Sequence, residues 1–337
     1  MASLSRSKRL YSLFPLLLLV AGFFPGGVWA KWKYERLGNE ADSSVKPAAG
    51  FALMGGGSKQ EPAFKFLCER AKGGDFLVLS ANDDDAYLKK ENETIKAVCR
   101  LNSAATLSFS SREDSDDPKI AEIIAHAESI FIAGGDQSDY VRFWQDTPVE
   151  SAINRHIALG KPIGGSSAGL AILGQFSFSS MIDTIHSPEA LADPYGTKVT
   201  LTREFLDIPL LRDTITDTHF VKRDRLGRLL VFMARILEDG WTNEVRAIAV
   251  EENAAVLIEP DGLATVVGTG PAYFLESTRL PEVCAHKQPL TFGGITVQRV
   301  TKNQTFQLKS WQGQGERYVL SVARGVLASG SPTHNPY

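Results

Sequence analysis

The sequence predicts an α/β fold: a mostly parallel sheet with helices on both faces, followed by a β-rich C-terminal segment. Three observations predict it. Short apolar runs of the buried-strand kind alternate with stretches of helical spacing. Two of those runs end in glycine turns, in "GFALMGGG" (Gly50 to Gly57) and "SIFIAGGDQ" (Ser129 to Gln137). Helix-opening signals with proline stand between them, at Asp117-Pro118 and Thr147-Pro148. A strand–helix–strand rhythm of this kind builds a parallel sheet.

The elements follow in order. Residues 1–30 read as a secretory signal peptide: a basic start at Arg6, Lys8 and Arg9, an apolar core from Leu13 to Phe24, and Val28-Trp29-Ala30 as a small-x-small end. The core is shorter than the roughly 20 residues that cross a bilayer. The mature chain then starts near Lys31, outside the cytoplasm. "PAFKFLCERA" (Pro62 to Ala71) has helical spacing, and "DFLVLSA" (Asp75 to Ala81) is a continuous apolar strand. "ATLSFSS" (Ala105 to Ser111) is a further strand. Asp117-Pro118 opens one helix. Thr147-Pro148-Val149-Glu150 opens another as a capping box, and Gly160 closes it. "KPIGG" follows as a short strand. From Val256 the pattern turns to hairpins, around Pro260-Asp261-Gly262 and then through "ITVQRV", "QTFQLKSW" and "YVLSVARG". The division is a signal peptide (1–30), an α/β domain (31–275), a β-rich extension (276–328) and a flexible tail (329–337).

Composition bounds the function. The 337 residues carry a net charge of −3, which argues against nucleic acid as a partner. Cys68, Cys99 and Cys284 have no CxxC or histidine cluster beside them, so no metal site is expected. Export permits a disulfide, with Cys68–Cys99 as one candidate pair and buried free thiols as the alternative. Asn92-Glu93-Thr94 and Asn303-Gln304-Thr305 fit the glycosylation sequon, which matters only in a eukaryotic host.

The chemistry points to "GKPIGGSSAGLAILG" (Gly160 to Gly174). Gly165-Ser166-Ser167-Ala168-Gly169 fits G-x-S-x-G, between a strand and a helix-competent run. A tight strand-to-helix turn lifts the central hydroxyl clear of the sheet, and the new helix aims free N–H groups at the same spot. Ser167 takes the central place; Ser166 takes the small flanking one. A serine nucleophile needs a base. Of six histidines, His126 and His156 lie on helices, while His286 and His334 lie in late loops. His186 follows the elbow in a polar loop and stays in reserve. His219 ends the alternating run Thr214 to Phe220, just before an amphipathic helix, at the sheet edge where the elbow lies. The orienting carboxylate is Glu251 or Glu252, after the apolar strand that begins at Ala247. The order Ser, His, Glu departs from the Ser, acid, His of α/β-hydrolases. Arg225 and Arg228, three apart, read as one helix flank, with Arg223 at the helix start. Guanidinium groups bind carboxylates through paired hydrogen bonds. A solvated ion-pair face with Asp224, Glu238 and Asp239 is the plainer reading.

Gly134-Gly135-Asp136-Gln137, Gly164-Gly165-Ser166-Ser167-Ala168-Gly169, and Asp217-Thr218-His219-Phe220 with Arg223, Arg225 and Arg228 together resemble the cyanophycinases and aspartyl dipeptidases. The resemblance runs from about Gly50 to Glu252 and beyond. It implies a class I glutamine-amidotransferase-like, flavodoxin-like fold. It implies Ser167 as nucleophile, His219 as base and Glu252 as acid, with oxyanion N–H groups from Gly135, Asp136 and Ala168. Gln137, Asp217, Arg223, Arg225 and Arg228 would bind substrate. One departure is Thr218, where cyanophycinases commonly carry glutamine. Neither cofactor nor metal is implied. The expected partner is a peptide with aspartyl groups, with no nucleic acid and no stable membrane span once the signal is cleaved; a homodimer is left open. The leading function is cleavage of cyanophycin, a poly-aspartate with arginine on each side-chain carboxyl, to β-Asp-Arg dipeptides outside the cytoplasm. The alternatives are a dipeptidase for small aspartyl peptides and a non-catalytic binder of acidic ligands. An amidotransferase would need cysteine where Ser167 stands.

Overall fold

The computed structural model describes residues 32–57, 61–81 and 85–337, so the signal-peptide expectation lies outside the described residues. Among the described residues no helix is long and apolar enough to cross a membrane. The strands form two sheets. The larger takes β1 (Lys33–Gly38), β2 (Phe51–Met54), β3 (Asp75–Ser80), β4 (Ser103–Ser108), β5 (Ser129–Ile132) and β6 (Ile163–Ser166), with β11 (Ala254–Ile258), β12 (Leu263–Gly268), β15 (Thr305–Gln307) and β16 (Gln312–Gly313). The smaller takes β7 (Phe176–Phe178), β8 (Leu201–Arg203), β9 (Thr214–Thr218), β10 (Val245–Val250), β13 (Ala272–Ser277), β14 (Phe292–Val300), β17 (Glu316–Ala323) and β18 (Val326–Ser329). The helices are α1 (Glu61–Ala71), α2 (Asp85–Val98), α3 (Pro118–His126), α4 (Gln137–Trp144), α5 (Pro148–Ala158), α6 (Ala168–Ala171), α7 (Ser187–Ala192) and α8 (Leu226–Glu238).

The larger sheet runs β1-β4-β3-β5-β6-β2-β11-β12-β15-β16. Its middle, β4-β3-β5-β6-β2, is parallel throughout. Every strand outside that middle is antiparallel to its neighbour. Helices cover both faces because the parallel strands alternate apolar side chains both ways. Phe76 and Val78 pack with Phe64 and Leu67 of α1 and Ile95 of α2. Leu77 and Leu79 pack with Ile120 and Ile124 of α3 and Ile153 and Ile157 of α5. The smaller sheet runs β18-β17-β14-β13-β10-β9-β7-β8, parallel only at β10–β9 and β9–β7. Strand β10 splits its side chains: Ile248 and Val250 join the core of the larger sheet, while Ala247 and Ala249 pack toward α8.

Two expectations change. One mostly parallel sheet with a separate β-rich extension becomes two mixed sheets that share the C-terminal strands: β15 and β16 extend the larger, β14, β17 and β18 the smaller. The apolar strand expected from Ala247 is β10, which ends at Val250, and Glu251–Asn253 then carry the chain from the smaller sheet to the larger. The tail is not loose: Ser331 is 3% exposed, and Tyr337 packs its ring beside Phe220 and Tyr273. Of the two expected helix caps, one holds as read. Asp117 accepts from Lys119 N–H, with Pro118 at the first position of α3. Thr147 is instead turned to Trp144 O, while Glu150 reaches Asp146 N–H, so the capping box closes one residue early. Cys68 and Cys99 are disulfide-bonded across a sequence separation of 31, joining α1 to the end of α2. Cys284 is buried and free, its thiol pushed up to about 12 by burial. Asn92 of the first sequon is fully buried, its amide donating to Glu35 O; Asn303 of the second is exposed.

Candidate active site

The site forms where the carboxyl ends of β2, β6, β9 and β10 meet at the junction of the two sheets. Strand β6 ends at Ser166, and Ser167 turns sharply, with φ +53° and ψ −117°, before α6 begins at Ala168. A β-carbon resists that backbone, so its presence marks an imposed conformation. Close packing imposes it: Ser167 N–H donates to Met54 O at 3.1 Å, and Ala171 N–H to Ser167 O at 2.9 Å. The flanking glycines are required. A β-carbon at Gly165 would lie 2.4 Å from Gly169 O, and one at Gly169 would lie 2.1 Å from Ile132 O.

Strand β9 delivers His219, which also has a left-handed backbone, φ +46°. Its N–H donates to Gly55 O at 2.9 Å. The ring lies 2.7 Å from Ser167 Oγ through Nε2 and 2.6 Å from Glu252 Oε1 through Nδ1. Glu252 is therefore the carboxylate on the imidazole. Glu251 points elsewhere and accepts the N–H groups of Val221 and Lys222. Burial holds the His219 imidazole below its ordinary value of 6.5, outweighing the Glu252 contact that raises it; Arg223 and Arg225 lower it further. The His219 contact in turn lowers Glu252. Gly134 stands beside the serine: a β-carbon on it would be 3.5 Å from Ser167 Cβ. Asp136 then caps α4 by accepting Ser138 N–H at 2.8 Å. Tyr140 fixes the turn through Ala133 O at 2.8 Å. Of the other histidines, His156 is buried against Pro162 O and held down to about 3 by desolvation, and His186 is exposed ahead of α7.

Two hollows flank this line. One, of about 300 Å³, is lined by Gly56, Phe64, Tyr87, Glu91, Ser167 and Arg223, among others. The other, of about 400 Å³, includes Gly135, Gln137, Arg142, Asp183, Arg223 and Arg225. Gln137 reaches across it to Phe178 O at 3.3 Å. Arg223 lines both hollows, is exposed, and makes no side-chain hydrogen bond or ion pair among the described residues. The expectation of Arg225 and Arg228 on one exposed flank is corrected. Helix α8 is buried nearly all round, so it has no solvated flank at its start. Arg228 is 2% exposed and grips Asp217 with Nε and Nη2, under Phe178 and Phe232. Asp217 is 2% exposed, and its Oδ1 also accepts Thr218 N–H. Both are committed to each other beneath the site and do not face a substrate. Arg225 is half-buried and donates from Nη1 to Thr218 O and Oγ1, each at 2.9 Å. Burial lowers it to about 10.

Sequence reasoning missed Gly55–Gly57, Tyr87, Glu91 and Arg142. The glycine run was the available signal. A β-carbon at Gly56 would stand 2.3 Å from His219 Cε1, and one at Gly57 2.9 Å from Asn253 Oδ1. No bulkier residue lets β2 end against the imidazole.

The family model for peptidase family S51 matches residues 78–265, which holds Ser167, His219 and Glu252. The chain belongs to peptidase family S51. It is 25% identical over 212 residues to a cyanophycinase of Trichormus variabilis, covering 60% of this chain and 64% of that protein. It is 24% identical over 257 residues to a cyanophycinase of Synechococcus elongatus, covering 74% of each. The first match thus spans less than two thirds of its relative's length. A peptidase from an acI-B1 Actinobacterium has a similar fold, with a TM-score of 0.53 at 17% identity over 77% of this S51 chain and 97% of that one.

Proposed function

We propose that this S51 chain is an exported serine-type exopeptidase that hydrolyses cyanophycin to β-Asp-Arg dipeptides. The observation that carries the reading is the hydrogen-bonded line Ser167 Oγ–His219 Nε2–His219 Nδ1–Glu252 Oε1 next to one unpaired guanidinium, Arg223. In this reading Ser167 Oγ attacks the scissile carbonyl carbon while His219 Nε2 takes its proton. The carbonyl oxygen, now anionic, is met by N–H groups of Gly135, Asp136 and Ala168. His219 returns the proton to the leaving amine, and the C–N bond breaks. Water, deprotonated by the same ring, then releases the acyl group. Glu252 stays ionised and holds the imidazole's orientation. Arg223 binds a substrate carboxylate, with Gln137 and Arg142 along the same hollow. Membership of S51 and the cyanophycinase relatives support the chemistry and the substrate class. The parallel order β4-β3-β5-β6-β2, with the nucleophile after β6, supports a class I glutamine-amidotransferase-like placement. The Cys68–Cys99 bridge supports an oxidising compartment, and with it the signal peptide.

A second reading, a dipeptidase for small aspartyl peptides, is favoured by one observation. Arg225 is folded onto Thr218, and Arg228 onto Asp217, so among the described residues a single free guanidinium, Arg223, faces the hollow. Incubating the purified protein with insoluble cyanophycin and, separately, with α-aspartyl dipeptides tests both. Release of β-Asp-Arg by the native chain but not by Ser167→Ala is expected. Turnover of the dipeptides alone moves the assignment to the second reading. No turnover of either overturns both.

A further inference from the structure

The segment between β9 and α8 carries His219, Arg223 and Arg225, and its backbone is held from several sides. Arg223 N–H donates to His219 O at 3.0 Å, and Arg225 N–H to Phe220 O at 2.9 Å. Glu251 takes the N–H groups of Val221 and Lys222, and the Ser187 hydroxyl donates to Asp224 O. Asp224 itself is left-handed, φ +46°, and needs outside support. That support comes from far along the chain. The Tyr337 hydroxyl donates to Asp224 Oδ1 at 2.7 Å and accepts Leu226 N–H at 3.0 Å. Leu226 opens α8, where the first N–H groups lack helical partners and Arg225 offers no side-chain cap. The Tyr337 ring stands edge-on to Phe220, centroids 5.6 Å apart, and to Tyr273, 6.2 Å apart. Tyr318 secures the preceding residue through Pro336 O at 2.8 Å.

We propose that Tyr337 is a positioning residue: by bridging Asp224 and the first turn of α8 it sets where the neighbouring Arg223 guanidinium stands relative to Ser167. The effect on substrate rests on the reading of Arg223 as the group that binds the substrate carboxylate. The bridge is one phenol oxygen serving two partners on either side of Arg225, so its removal frees the turn without touching the Ser167–His219–Glu252 line. The ring keeps its packing in Tyr337→Phe, so the fold survives the test.

The experiment compares native chain, Tyr337→Phe, Asp224→Ala and the double variant on a soluble β-linked Asp-Arg trimer. Ser167 labelling by an uncharged phosphonate and amide exchange at Leu226 are followed in parallel. Losing the bridge should raise KM about 3- to 10-fold, the scale of one lost hydrogen bond, with kcat and phosphonate labelling unchanged. The double variant should be no worse than Tyr337→Phe alone, because the Asp224 contact is already lost there. Unchanged KM, additive losses, or an equal fall in kcat and labelling overturns the proposal. If the native chain cleaves no aspartyl peptide, the carboxylate reading fails on its own. The bridge is then judged by Leu226 exchange: about 3- to 10-fold faster in Tyr337→Phe keeps it, and unchanged protection sinks it.

Discussion

Ser167 and His219 both hold left-handed backbones, at φ +53° and +46°. Such conformations cost on the order of 1–3 kcal/mol each and persist only where surrounding contacts over-determine them. Here the same contacts that impose them bring Oγ and Nε2 to 2.7 Å. The state of the imidazole has a pH consequence. A general base must be neutral, and burial holds His219 below 6.5. The acid limb of kcat/KM, which reports the free enzyme, should therefore fall below pH 6.5, with activity present above it and lost as pH drops through it. Arg223 is one cause of the lowering. In Arg223→Met that repulsion is gone, the imidazole binds its proton more readily, and the limb should move to higher pH. A pH profile of Ser167 labelling by an uncharged phosphonate reads this without requiring substrate binding. A limb that stays in place, or moves down, contradicts the assignment of His219 as the base.

At the scale of elements, the site depends on how two glycine turns and a buried ion pair are packed. Strand β2 ends at Gly55–Gly57, where Gly56 has φ +100° and lies against the His219 ring. Gly56→Ala should push the imidazole off Ser167, because a methyl 2.3 Å from Cε1 has no room. If Ser167 and His219 are the nucleophile and base proposed above, labelling should fall nearly as far as in His219→Ala, since such a pair acts as a unit, while circular dichroism stays native. Beneath the site, Arg228→Met takes the paired contact from buried Asp217 and leaves it only Arg225 Nη1, 3.6 Å away. Breaking a buried pair this way costs about 3–5 kcal/mol, so the melting temperature should drop clearly, whereas Arg223→Met should leave it almost unchanged. Equal melting temperatures for the two variants would mean that Arg228 is solvated after all. The different fates of these arginines explain what could be read in advance. That Ser167, His219 and Glu252 meet on one hydrogen-bonded line was legible because such a line needs particular residue types at strand ends. The strand Asp75–Ser80 and the helix opened by Asp117-Pro118 were legible because pattern and cap agree. Arg228 was not, because spacing along α8 says which residues share a flank but not whether that flank meets water. The charged helix Asp85–Val98 was not, because its polar sequence resembles a surface loop.

At the scale of the whole molecule, the two sheets must keep their junction while α1 and α2 cover one outer face of the larger. Helix α1 supplies Phe64, and α2 supplies Tyr87 and Glu91, to the hollow beside Ser167. The cover is covalently tied at its far end by Cys68–Cys99, with Cα atoms 6.0 Å apart. A crosslink closing a loop of 31 residues removes unfolded-state entropy equivalent to about 3–4 kcal/mol. The paired Cys68→Ser, Cys99→Ser variant should therefore melt several degrees lower, with a lower denaturant midpoint. Its Ser167 labelling at room temperature should match the native chain, because Ser167, His219 and Glu252 are held by strand ends that the bridge does not touch. Cys284 gives an internal control. Its thiol is buried and pushed up to about 12, so Cys284→Ser should neither remove the bridge nor change the response to reductant. If reductant lowers the melting temperature of the native chain as much as it does that of the paired variant, the bridge is absent in solution. The argument for an oxidising compartment then falls with it, while the Ser167–His219–Glu252 line stands or falls on its own labelling experiment.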